Sequence, residues 1–85
     1  MVSAEQIESV VHRYLDLVAT GTGDQIAELF ADDATVEDPV GGEVHIGRGA
    51  ITGFYRNIES LPRQTELITL RVAGHEAAFL FAITV

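Results

Sequence analysis

Apolar residues first recur at Ile7, Val10, Val11, Tyr14, Leu17 and Val18, the three-and-four spacing of one helix face. Ser3-Ala4-Glu5-Gln6 ahead of them reads as a capping box, and Val2 and Ile7 stand where a hydrophobic staple would. Gly21 supplies the stop. Thr22-Gly23-Asp24-Gln25 repeats the capping logic. Ile26, Leu29 and Phe30 then form a short stripe that Asp32-Asp33 interrupt, so a second helix of about three turns is expected.

From Ala34 the period changes to two. Ala34, Val36 and Asp38 fall on one face of a strand and Thr35 and Glu37 on the other, until Pro39 ends it by removing a ladder donor. Val40-Gly41-Gly42-Glu43 reads as a hairpin turn into the short strand Val44-His45-Ile46. Ala50, Ile51, Phe54, Tyr55 and Ile58 restore helical spacing after Gly47-Arg48-Gly49, and Leu61-Pro62 closes that segment. Gly53 inside it weakens the helix by ~1 kcal/mol.

Thr65 to Ala73 alternates as a strand, with Glu66, Ile68, Leu70 and Val72 assigned to one face. Gly74-His75-Glu76 is the next turn. Ala77 to Val85 is apolar on both faces, the pattern of a strand buried on both sides. Such a strand at the end of a chain leaves an apolar edge that natural proteins avoid. The expectation is therefore that residues 1–85 are the N-terminal portion of a single α+β domain. The missing strands would be supplied by a complementary C-terminal fragment or by a second copy pairing at the open edge.

Composition narrows the partners. The chain has 85 residues, a formal net charge of −8 and no cysteine. A chain of this size is marginal as an independent domain without a disulfide. Its cations, Arg13, Arg48, Arg56, Arg63 and Arg71, are scattered singly, which argues against nucleic acid and anionic membranes. The longest apolar run, Ala77 to Ile83, is too short to span a bilayer and the N-terminus carries no signal pattern, so a soluble, cytoplasmic protein is expected.

Asp38 is the first candidate for chemistry. If the face of Ala34 and Val36 is core, its carboxylate lies in an apolar setting that favours a useful general base. Asp38-Pro39 is also an ordinary turn-initiating pair with its carboxylate in water. Tyr14, on the first apolar stripe, is either a core tyrosine satisfied locally or a phenol able to donate to an oxygen that becomes negative in a transition state. Tyr55 invites the same two readings. Asp32, Asp33, Glu37, Asp38 and Glu43, with His45 nearby, read as a solvated rim, because their spacing matches no metal motif. No Gly-rich loop between strand and helix suggests a phosphate or dinucleotide site, so no cofactor is called for.

The run Leu29-Phe30-Ala31-Asp32-Asp33-Ala34-Thr35-Val36-Glu37-Asp38-Pro39-Val40-Gly41 resembles the bacterial steroid Δ5-3-ketoisomerases. So do Val10 to Tyr14, Ile51 to Tyr55 and Glu76 to Phe79. These enzymes are part of the wider nuclear-transport-factor-2-like, or SnoaL-like, superfamily. The resemblance implies a cone-shaped α+β fold in which three helices pack on a curved, mainly antiparallel sheet around a pocket for a steroid or similar apolar small molecule. It implies Asp38 as the general base and Tyr14 as the donor to the C3 oxygen, with Tyr55 supporting Tyr14 and with Phe54, Val36 and Phe30 lining the pocket. Ketosteroid isomerase is a well-known worked case of pKa tuning, and these roles are the family's. The family's second donor, a protonated aspartic acid on the strand that would follow, has no counterpart here. A non-catalytic small-molecule-binding or self-associating module of the same superfamily is the alternative.

Overall fold

The computed structural model describes residues 2–85. Its elements run α1 (Ala4–Thr20), α2 (Gly23–Ala27), β1 (Thr35–Glu37), β2 (Val44–Ile46), α3 (Arg48–Arg56), β3 (Gln64–Ala73) and β4 (Glu76–Thr84). This is the α+β class expected, with antiparallel pairing throughout. The strands form two separate two-stranded ladders, β1 with β2 and β3 with β4. The chain divides into two compact units, one holding α1, β3 and β4, the other α2, β1, β2 and α3.

In the first unit, the Ser3 hydroxyl accepts from the Gln6 amide at 3.1 Å and the Ser3 amide donates to Gln6 Oε1 at 2.7 Å, the reciprocal box that starts α1. Val11, Leu15, Leu17 and Val18 are buried, a stripe that turns toward β3. Val10, assigned to the stripe by spacing, is instead exposed, and Leu15 takes the inward position. Side-chain bonds tie β3 and the residue before it to the helix. The Thr65 hydroxyl donates to the Leu15 carbonyl at 2.9 Å, and Arg63 Nε donates to the Val18 carbonyl near the helix end, where a cation also suits the dipole.

The β3–β4 ladder differs from unbroken alternation. Leu67 pairs with Phe81 but Thr69 pairs with Leu80, so Ile68 is an extra residue in a β-bulge. Thr65 and Leu67 before the bulge, and Leu70 and Val72 after it, are the half-buried positions. Glu66 and Ile68 are exposed, so the four residues assigned to one face are divided by the bulge. β4 is likewise not buried on both sides. Phe79 and Phe81 are half-buried, while Leu80 and Ile83 are exposed, with only β3 as partner among the described residues.

In the second unit, Thr22 and Gln25 repeat the reciprocal cap of α2. The helix is shorter than the three turns expected. After Ala27 the bonds tighten, Leu29 N–H to Ile26 C=O and Phe30 N–H to Ala27 C=O, and the chain turns away at Asp32. Ile26 and Ala27 bury against α3, which presents Ile51 and Tyr55 one turn apart. α3 begins two residues before Ala50, and similar tight turns carry the chain to Leu61. Gly23 makes the packing possible. A Cβ there would lie 2.7 Å from the Thr52 carbonyl oxygen and 2.9 Å from the Arg56 nitrogen.

Candidate active site

The β1–β2 hairpin carries the candidate base. Val36 pairs with His45, and both are half-buried where their neighbours on either side are exposed. The His45 ring lies 4.6 Å from Phe54 at a tilt of 35°. Phe54 meets Tyr55 edge to face at 4.9 Å, and Tyr55 stacks on Phe30 at 6.2 Å. Three of the residues expected from the sequence, Phe30, Phe54 and Tyr55, are therefore joined by ring contacts, and Val36 lies on the hairpin face that presents His45. The sequence alone groups His45 with the acidic rim. Its period, odd with respect to Val44 and Ile46, was the signal that it shares a face with Val36.

Asp38 follows the last ladder pair, Glu37 with Val44. Its peptide bond to Pro39 is cis. Gly42 N–H donates to the Pro39 carbonyl at 2.9 Å and Gly41 has φ +87°, a type II turn whose third residue needs glycine. Asp38 is exposed, so of the two readings of its surroundings the solvated turn is the one observed. The alternative apolar setting does not form because the ladder stops one residue short. Burial on that face fades after Val36, leaving the carboxylate in water at the hairpin tip.

Tyr14 belongs to the other unit. It is half-buried on α1 and meets Phe79 at 6.0 Å and Phe81 at 6.3 Å, both edge to face, while those two rings stack on each other. Two edge contacts fix the plane of the phenol, a geometry favourable for aromatic quadrupoles. The sequence marks Phe81 only as part of an apolar strand, and Phe79 as part of that strand and of the family resemblance.

The acidic rim is spoken for in part by local bonds. Asp32 pairs with Arg48 at 2.8 Å, and the Glu37 carboxylate accepts from the Gly41 amide at 2.8 Å. Among the described residues no three His, Asp or Glu side chains converge as a metal cage. No helix among them is long and apolar enough to cross a membrane.

Residues 11–85 match the pattern of the SnoaL-like domain. The chain belongs to the SnoaL-like domain family. This SnoaL-like chain is also 50% identical over 80 residues to a steroid Delta-isomerase of Nocardioides simplex, covering 93% of the chain and 64% of that relative. It thus spans a little under two thirds of the relative's length. Among solved structures, the epoxide hydrolase/cyclase-like enzyme SalBIII of pyran ring formation in salinomycin is similar over 98% of the SnoaL-like chain and 66% of its own. The TM-score there is 0.83 and the identity 30%. A domain of unknown function with a cystatin-like fold from Nostoc punctiforme shares the fold at a TM-score of 0.62 and 20% identity, over 98% of this chain and 56% of that one.

Proposed function

We propose that the chain carries proton-transfer groups of a steroid Δ5-3-ketoisomerase, which moves a proton within its substrate from C4 to C6 through a dienolate and yields the Δ4 isomer. The observation that carries this reading is the 50% identity over 80 residues to the Nocardioides simplex isomerase. Asp38 is the base. It stands in water at the hairpin tip, and an apolar ligand laid over it excludes that water. Tyr14 is the donor to the C3 oxygen. A phenol held in plane by Phe79 and Phe81 meets the developing charge with little reorganisation. The family resemblance assigns Tyr55 to the support of that phenol, and Phe30, Val36 and Phe54 to the apolar wall. Proton abstraction beside a carbonyl asks for one weak base and one fixed donor. In this reading the second, acidic donor comes from a complementary segment, corresponding to the part of the relative that the chain does not cover.

The test is turnover of a Δ5-3-ketosteroid, followed by the ultraviolet absorbance of the conjugated product. The chain would be assayed alone and mixed with the uncovered segment of the Nocardioides simplex relative. Turnover in the mixture that is lost in Asp38→Asn is the expected result. A folded Asp38→Asn variant with an unchanged rate overturns the assignment, and binding of a steroid-like phenol without turnover favours a non-catalytic pocket. The likeness to SalBIII favours a second reading, acid–base opening of an epoxide by an internal hydroxyl to form a cyclic ether. A hydroxy-epoxide probe cyclised by the same mixture, with the ketosteroid untouched, would select it.

A further inference from the structure

Asp38 lies beyond the last ladder pair, so the sheet itself does not hold it. The residue before it does. Glu37 is the last ladder residue of β1, and its carboxylate bends forward to accept the Gly41 amide at 2.8 Å. This bond closes a loop from Glu37 to Gly41 with Asp38 inside it. The Gly42 amide, donating to the Pro39 carbonyl at 2.9 Å, braces the far side. A charged acceptor makes the Glu37 bond stronger than a neutral pair would be. Without it, Asp38 would hang on an exposed turn between two glycines and the end of a three-residue strand.

From this geometry we infer that Glu37 is a positioning residue for proton transfer: its carboxylate, bonded to the Gly41 amide, fixes the turn that presents Asp38. The inference rests on the reading of Asp38 as the base. Glu37 touches no reacting atom in this scheme. It acts by narrowing the orientations of the neighbouring carboxylate, and small misplacements of a catalytic group carry large rate penalties.

The experiment measures kcat and KM for Glu37→Ala and Glu37→Gln in the mixed ketosteroid assay, together with hydrogen exchange of the Gly41 amide. Glu37→Ala should lower kcat about tenfold, leave KM within about twofold and speed exchange at Gly41 about tenfold. Glu37→Gln keeps an acceptor oxygen without the charge and should restore both readouts to within about threefold of the unsubstituted protein. An unchanged kcat in Glu37→Ala overturns the inference, and so does a Glu37→Gln variant as slow as Glu37→Ala. Absence of turnover in the unsubstituted mixture is a different failure. It removes the isomerase reading, and the role of Glu37 with it, even where Gly41 exchange responds.

Discussion

Gly23 lies so close to Arg56 that a Cβ on it would fall 2.9 Å from the Arg56 backbone nitrogen. The Thr52 carbonyl oxygen would be nearer still, at 2.7 Å, and backbone cannot swing aside as a side-chain end can. The same glycine donates its amide to the Glu59 carboxylate at 2.7 Å, which anchors the start of α2 beyond α3. Gly23→Ala should therefore destabilise by about 1–3 kcal/mol through overpacking, against the modest gain that Gly→Ala gives at an unstrained helical site. Urea unfolding checks this. Gly49→Ala, where a Cβ meets nothing within 4 Å, is the control and should be neutral or stabilising.

Arg48 ties the chain after α2 to the start of α3. Its Nε and Nη2 both donate to the Phe30 carbonyl, and its Nη1 pairs with Asp32. The ion pair is exposed, with side chains 45% and 91% accessible, so most of its Coulomb energy is lost to solvent. The carbonyl bonds matter more. Arg48→Met should cost about 1 kcal/mol, Asp32→Asn less than about 0.5 kcal/mol, and added salt should change little. Arg48→Lys should resemble the Met variant, since an ammonium cannot reproduce the fork.

Under the isomerase reading, Asp38→Asn should lower kcat by about 10²–10⁴ and Tyr14→Phe by about 10²–10³ in the mixed ketosteroid assay. The two differ in what else they disturb. Asp38 is exposed at the hairpin tip, so its substitution should leave the melting temperature within about 1 °C. A large loss of stability in Asp38→Asn would mean that the carboxylate has a structural partner the turn depends on.

Much of this could be seen in the sequence because its signals are local. The caps at Ser3 and Thr22, the change of period at Ala34 and the glycine-rich turn after Pro39 each depend on a few adjacent residues, and each appears where expected. What the sequence concealed depends on where an element ends or slips. Asp38 has the right parity for the Val36 face, but parity says nothing about the ladder stopping at Glu37. Ring partners such as His45 with Phe54 come from different elements, so no spacing announces them. Ile68 gave no warning either. A bulge often declares itself through glycine, whereas a β-branched apolar residue reads as an ordinary strand position.

The bulge yields the sharpest test of the fold. Removing Ile68 would join Leu67 directly to Thr69, and their partners Phe81 and Leu80 are already adjacent on β4. Every other residue of β3 then keeps both its partner and its face, with Leu67, Leu70 and Val72 still inward. Ile68 is 56% exposed, so little apolar burial is lost with it. Deleting Arg71 instead slips Val72 into its place, where alternation turns the valine outward. The deletion of Ile68 should thus cost no more than about 1 kcal/mol, while that of Arg71 should cost at least about 2 kcal/mol or prevent folding. Urea unfolding of the two deletion proteins decides between an extra residue that the ladder merely tolerates and one whose local twist the packing of α1 requires. Equal, large losses would establish the second.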